Sequence, residues 1–136
     1  MFSHIQVGAK DLDLMVSFYD AALGPLGIYR RNTPKTAGAA GVIWGIGARR
    51  WPQFVVAAPF DGEPATAGNG CQVSFLGKTR TAVIAAWRSA LDAGGTDEGA
   101  PGVRDQYSPD FFVAYCRDPE GNKIAFVHAE VAVFQR

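Results

Sequence analysis

Three side chains of this sequence are suited by type to acid–base or ligand chemistry. His4 is one of two histidines, and because imidazole titrates near neutrality it is the best general acid or base candidate. In the polar, aromatic segment 104–112, RDQYSPDFF, Tyr107 could donate its phenol to a substrate oxygen and Arg104 could hold a carboxylate or phosphate. We take His4 and Tyr107 as candidate catalytic residues, and all three as candidate ligand contacts.

The elements around His4 follow from hydrophobic patterning. Residues 2–7 alternate between apolar and polar types, which predicts a short strand with Phe2, His4 and Gln6 on one face. Asp11 or Asp13 then offers an N-cap, and apolar residues recur at helical spacing until the glycines and proline of 24–27. Strands are predicted at 28–31, 41–46 and 53–58, before a polar connection at 59–69.

The second half repeats this plan. A strand is predicted at 71–76, a helix opening at Thr79 and ending at the glycines 94–95, and strands at 111–116 and 123–128. Sliding the chain on itself by 68 residues aligns Leu23 with Leu91 and places Gln72 opposite His4. We therefore predict an α+β fold of two tandem βαβββ modules, 1–60 and 69–129, in a single domain 1–136 with a C-terminal tail 130–136. The cup between paired sheets would form a small-molecule cavity.

Composition excludes several kinds of partner. The chain has 13 basic and 13 acidic residues without charge runs, so we expect neither nucleic acid nor an anionic membrane surface as a partner. The N-terminus lacks a signal-peptide pattern, and no apolar run approaches the roughly 20 residues of a membrane helix, which indicates a soluble cytoplasmic protein. Cys71 and Cys116 are interpreted as buried thiols without a disulfide.

The segments FSHIQVG, DLDLMVSFYDAALGPLG and, above all, RDPEGNKIAFVH resemble the vicinal oxygen chelate superfamily. This superfamily includes glyoxalase I, bleomycin-resistance proteins, fosfomycin-resistance enzymes and extradiol dioxygenases. The resemblance implies a cup in which catalytic members hold a divalent metal with side chains from the first and last strand of each module. It also implies a homodimer, which the apolar tail VAVFQR and uncovered sheet surfaces favour as well.

Carrying the ligand positions over one by one leaves an incomplete metal site. His4 and Gln72 occupy the first-strand positions, whereas Ala57 and Ala125 occupy the last-strand positions, the second of which usually carries Glu in the family. One imidazole and one neutral amide without a carboxylate would hold a divalent metal weakly. We therefore expect no cofactor, although a metal bound through substitute ligands stays open; Glu63, Glu98, Asp105 and Asp110 are the acids nearest the rim or in the connection.

Two functions remain open at this point. The first is a metal-free protein that binds a small, partly aromatic or oxygenated molecule in the cup, with Trp44, Gln72, Arg104, Tyr107 and Phe112 as contacts beside His4. The second is a metal-dependent lyase, isomerase or dioxygenase acting on a small oxygenated substrate. Ala125 favours the first function, and the fold together with His4 favours the second.

Overall fold

The chain forms two copies of a βαβββ module within residues 1–32 and 41–130, which the computed structural model describes. The first module comprises β1 (His4–Gly8), α1 (Leu12–Leu23), a 3-10 turn (Gly24–Leu26), β2 (Ile28–Arg30), β3 (Gly41–Ile46) and β4 (Gln53–Ala57). The second comprises β5 (Gln72–Leu76), α2 (Arg80–Asp92), β6 (Thr96–Val103), β7 (Phe112–Arg117) and β8 (Lys123–His128). The predicted α+β fold with a repeated module is confirmed; the tail 131–136 lies outside the described residues.

Each module has its own mixed sheet of four strands. The strand orders are β1-β4-β3-β2 and β5-β8-β7-β6, so the first and last strands of each module lie side by side. These two strands run parallel, and the other neighbours are antiparallel. In the described part of the chain, β1 and β5 each pair along one side only, which makes both of them edge strands.

Side-chain caps fix where the two helices begin. Asp11 accepts a hydrogen bond from the amide of Leu14 at 3.0 Å, and the Thr79 hydroxyl accepts one from the amide of Ala82 at 3.0 Å. Each bond satisfies one amide of a first helical turn, where no carbonyl of the helix can serve as acceptor. Gly27, with φ of 74°, takes the left-handed conformation after the 3-10 turn. No helix among the described residues is long and apolar enough to cross a bilayer.

Strand β6 is the element that residue patterning did not locate. Its sequence TDEGAPGV combines acids, glycines and a proline, all of which are depleted in strands. Its pairing with β7 shifts register between Asp97 and Gly99 and again between Gly99 and Gly102. Tertiary pairing with β7 therefore overrides a local sequence that does not favour a strand.

A shared hydrophobic core joins the two modules. It contains buried residues of both helices, including Met15 and Phe18 from α1 and Val83 from α2. Across the modules, the rings of Phe54 and Phe75 meet edge to face with centroids 5.0 Å apart. The halves therefore bury their apolar faces against each other rather than separately.

The turn between β7 and β8 ties the second module to α1. Asp118 is only 2% exposed, and its carboxylate accepts hydrogen bonds from the Tyr19 hydroxyl at 2.7 Å, from the Asn122 side chain at 2.8 Å, and from two amides of the turn at 3.0 Å. Glu120 accepts the amides of residues 10 and 11 at 2.7 and 2.9 Å, just before α1 begins. Burial, reinforced by the charge of Asp118, raises the pKa of Tyr19 well above its ordinary value.

The two cysteines are both free but differ in exposure. Cys116 is buried in the shared core, whereas Cys71 is exposed, so the expectation of two buried thiols is wrong for Cys71. Cys71 directly precedes β5 in the connection between modules. Burial, followed by the charges of Asp118 and Asp97, raises the pKa of the Cys116 thiol to about 12.

Candidate functional site

A hollow lies over the second sheet, on the face away from α2. Its volume is about 550 Å³, within the range of small-molecule sites. We call it the second-sheet hollow, and it is lined by Gln72, Glu98, Arg104, Gln106, Tyr107, Phe111, Tyr115 and Lys123. It brings together three residues that the sequence predicted as ligand contacts: Gln72, Arg104 and Tyr107.

Strand register arranges the face of the second sheet, at one end of which the hollow lies, in rows of different chemistry. Because alternate residues of a strand share a face, the row Gln72–Lys123–Arg117 runs across β5, β8 and β7. The next row is Ser74–Ala125–Tyr115, and the third is Leu76–Val127–Val113. The face therefore grades from cationic and polar at one end to apolar at the other.

Two cations flank the ring of Tyr115. The guanidinium carbon of Arg104 lies 5.8 Å from the ring centroid and the Lys123 ammonium lies 5.1 Å from it, both within the range of cation–π attraction. Desolvation raises the pKa of Tyr115, the nearby Tyr107 adds to this effect, and Arg104 opposes it. Tyr115 is thus a neutral phenol at pH 7, with a guanidinium and an ammonium group close to its ring.

The glycines of β6 make room for these side chains. A Cβ at Gly102 would lie 3.0 Å from Nη1 of Arg104, and one at Gly99 would lie 3.0 Å from Cδ2 of Tyr115. Arg104 lies over the strand and donates to the carbonyl of Ala100 at 2.9 Å. The glycines of β6 therefore let Arg104 and Tyr115 approach the sheet. The same glycines are the reason that the sequence did not predict this strand.

His4 lies on a different surface from Gln72. It lines a groove of about 400 Å³ between β1 of the first module and β5 of the second, together with Phe2, Ile46, Phe75 and Leu76. Its ring is exposed, forms a hydrogen bond with the Ser3 hydroxyl at 2.9 Å and lies 6.2 Å from the ring of Trp51. Within one chain, His4 therefore does not share the second-sheet hollow with Gln72 and Tyr107.

Trp44 and Phe112 pack in the core away from the hollow. Trp44 is fully buried, and its indole donates to Asp20 at 2.9 Å. Phe112 lies on the helix face of β7, under the guanidinium of Arg80, whose carbon is 5.1 Å from the ring centroid. Strand alternation accounts for the position of Phe112, since Val113 and Tyr115 occupy the opposite face.

The register of the last strands corrects one of the transferred ligand positions. Gln53 pairs with His4 and Lys123 pairs with Gln72, so the first strands are offset by 72 − 4 = 68 residues and the last strands by 123 − 53 = 70. The helix caps Asp11 and Thr79 also differ by 68, which places the two additional residues between the second helix and β8. The counterpart of Ala125 is therefore Val55, and the predicted pairing of Ala125 with Ala57 is wrong.

Neither last-strand position offers a metal ligand. Ala125 is fully buried in a small apolar cluster with Val113 and Val127, and Val55 is likewise a hydrocarbon. In residues 1–32 and 41–130, no three His, Cys, Asp or Glu side chains come together. Of the acids near the rim, Glu98 pairs with Arg117, and Asp110 accepts from the Ser108 hydroxyl and the amide of Glu130, bonds that lower its pKa.

Lys123 is one of the lining residues that sequence reasoning missed, as are Gln106 and Phe111. It lies in the stretch DPEGNKIAFV, in which Ala125 occupies the position of the expected carboxylate ligand. The signal was present, because residues two apart on a strand share a face and Lys123 therefore points to the same side as Ala125. His128, by the same rule, lies on the opposite face, where it pairs with Phe112 and donates to the carbonyl of Gly77 at 3.0 Å.

Comparison with known proteins agrees with this architecture. Residues 1–126 match the family model of the Glyoxalase/Bleomycin resistance protein/Dioxygenase superfamily, and this chain belongs to that family. A glyoxalase/bleomycin resistance protein from Albidiferax ferrireducens T118 is 37% identical, with a TM-score of 0.79 over 96% of this chain and 99% of that one. Among curated proteins, none matches this chain significantly.

More distant solved structures share the fold alone. A glyoxalase/bleomycin resistance protein/dioxygenase family enzyme from Burkholderia phytofirmans PsJN is 18% identical, with a TM-score of 0.70 over 94% of this chain and 98% of that one. A glyoxylase/bleomycin resistance protein/dioxygenase domain from Frankia sp. EAN1pec is 13% identical, with a TM-score of 0.71 over 96% and 98%. The resemblance drawn from the sequence is thereby confirmed at the level of family and fold.

Proposed function

We propose that this protein binds a small, partly aromatic or oxygenated molecule in the second-sheet hollow and does so without a divalent metal. The observation that carries the proposal is the composition of the hollow, in which two phenols, a phenyl ring, two amides, two cations and one carboxylate line about 550 Å³. Such a mixture of apolar surface and a few polar groups is typical of sites that orient a ligand. Tyr107 and Tyr115 offer phenol donors, and Phe111 offers apolar surface.

The donor set at the transferred metal positions supports the metal-free part of the proposal. Val55 and Ala125 contribute no donor atom, and Gln72 uses its amide nitrogen to donate to Ser74 at 3.0 Å. His4 alone is a strong ligand type, whereas catalytic sites for such metals use three or four. The residues present at these positions therefore do not fit a divalent metal.

We also propose that two copies of the chain associate. The groove between β1 and β5 exposes Phe2, Ile46 and Leu76, which are 67%, 45% and 67% exposed in the isolated chain. Unpaired edge strands beside exposed apolar side chains favour association, because both features are costly to leave in water. A second copy on this groove would cover His4.

The test combines metal analysis with ligand binding. Purified, untagged protein is analysed for metals by mass spectrometry and titrated with zinc, nickel, manganese and iron(II), while aromatic and oxygenated compounds are screened by NMR. We expect no stoichiometric metal, no micromolar metal binding, and ligand-induced shifts at Tyr115 and Ala125. Stoichiometric metal that is lost in His4→Ala would overturn the metal-free proposal and favour lyase, isomerase or dioxygenase chemistry.

A further inference from the structure

The charges around the second-sheet hollow do not balance. Its lining contains one acid, Glu98, and two bases, Arg104 and Lys123. Glu98 is already paired with Arg117. Within the described ranges, neither Arg104 nor Lys123 has a carboxylate oxygen within 4.0 Å. Two positive charges therefore face the hollow with no protein anion to neutralise them.

The guanidinium of Arg104 is held in place by contacts with β6 and does not extend freely into solvent. Its Nη2 donates to the carbonyl of Ala100 at 2.9 Å, and the missing side chain of Gly102 leaves the space that its guanidinium occupies. A guanidinium has five N–H donors, so these contacts leave donors free for a ligand. Lys123 is fixed at its base by pairing with Gln72 and Arg117 at the start of β8.

We infer that the second-sheet hollow selects an anionic ligand, with the carboxylate of a small planar compound held by Lys123 and Arg104 and its apolar body against Phe111 and Tyr115. The inference rests on the proposed function and specifies the ligand class. Arg104 and Lys123 lie beside the ring of Tyr115. The rings of Tyr107 and Phe111, whose centroids are 5.3 Å apart, supply apolar surface in the same hollow and so set the orientation of the ligand's body. A charged hydrogen bond is stronger than a neutral one, so the carboxylate should bind more tightly than a neutral compound of equal shape.

The experiment uses matched probe pairs that differ only in charge. Benzoate and benzamide, and 2-naphthoate and 2-naphthamide, are titrated into the full chain at low salt and followed by amide NMR shifts. We expect each carboxylate to bind roughly 5- to 20-fold more tightly than its amide, with shifts at Tyr115 and Ala125. Raising the ionic strength should weaken this preference, because the cations are partly open to solvent.

Charge-removing variants locate the source of the preference. Lys123→Gln and Arg104→Gln should each reduce the carboxylate preference several-fold, whereas Arg88→Gln, at an exposed position of α2, should leave it unchanged. The amide spectrum of each variant verifies that the fold is retained. An unchanged preference in Lys123→Gln and Arg104→Gln would overturn the inference.

The remaining outcomes separate this inference from the proposed function. If carboxylates and amides bind the hollow equally well, anion selection is wrong and ligand binding there stands. If carboxylates bind preferentially but shift residues elsewhere, the assignment to Lys123 and Arg104 is wrong. If no probe shifts the amide NMR signals of Tyr115 or Ala125 at millimolar concentration, the inference is wrong and the hollow is not a binding site for such compounds.

Discussion

Removing one oxygen atom from the contact between modules should measurably destabilise the whole chain. Tyr19→Phe deletes the hydroxyl that donates to the buried carboxylate of Asp118 at 2.7 Å. Phenylalanine keeps the ring and its packing against Phe54 and Trp44, so the change isolates the hydrogen bond. The carboxylate keeps its bonds from Asn122 and from two turn amides, and is therefore not left without partners.

The expected loss follows from the type of bond. A hydrogen bond to a charged group contributes about 1.5–3 kcal/mol to stability, and the remaining donors to Asp118 place the loss toward the lower end of that range. With a urea dependence of about 2 kcal/mol per molar, the unfolding midpoint should fall by roughly 1 M. The assay is urea unfolding monitored by circular dichroism. The urea dependence of the free energy of unfolding should be the same in Tyr19→Phe as in the original chain.

Tyr29→Phe is the matched control for this prediction. Tyr29 is 63% exposed, and the same substitution there should change stability by less than about 0.5 kcal/mol. A midpoint shift below about 0.3 M in Tyr19→Phe, or one equal to that of the control, would refute the idea that this bond helps to join the modules.

Other predictions concern the thiols and two glycines. Cys71 should react with Ellman's reagent within the mixing time of a manual assay, and Cys116 only on unfolding; two fast thiols would contradict their assigned exposures. Because burial raises the pKa of the Cys116 thiol from 9.0 to about 12, the thiol ionises first in the unfolded chain. Stability should therefore fall above about pH 9, by at most about 1.4 kcal/mol per pH unit. Cys116→Ala should flatten this slope in urea unfolding at several pH values, and parallel slopes would count against it. Gly95→Ala should cost about 1–3 kcal/mol in thermal or urea unfolding, since its Cβ would lie 2.8 Å from the carbonyl oxygen of Ala90. Gly24→Ala, whose Cβ would meet nothing within 4 Å in the described part of the chain, should be nearly neutral, and similar losses in both would contradict the packing.

The elements that the sequence predicted well are those whose local signals agree with their tertiary setting. Alternation in β1, the caps at Asp11 and Thr79, and the repeated order of elements all follow from short-range chemistry. Strand β6 could not be predicted in this way, because its glycines serve Arg104 and Tyr115 rather than strand formation. Where a residue's role depends on a distant neighbour, its own type is a poor guide.

The candidate site was predictable in its residue types and less so in its geometry. Gln72, Arg104 and Tyr107 were identified from one sequence and lie in one hollow. A single offset of 68 residues could not reveal that the last strands are offset by 70, because side-chain patterns of period two tolerate a shift of two residues without changing face. Val55 and Ala57, two residues apart on β4, therefore share a face, and the pattern alone does not distinguish them.

The contact between Asp118 and Tyr19 bears on how a duplicated chain comes to behave as one cooperative unit. Two copies of a module could in principle unfold independently of each other. Here a carboxylate of the second copy is solvated by a hydroxyl of the first, and both copies share one core. If the first copy unfolds, Asp118 loses the Tyr19 hydroxyl, and if either copy unfolds, the apolar core of the other is exposed to water. We therefore expect a single calorimetric transition from a sequence that is internally repeated.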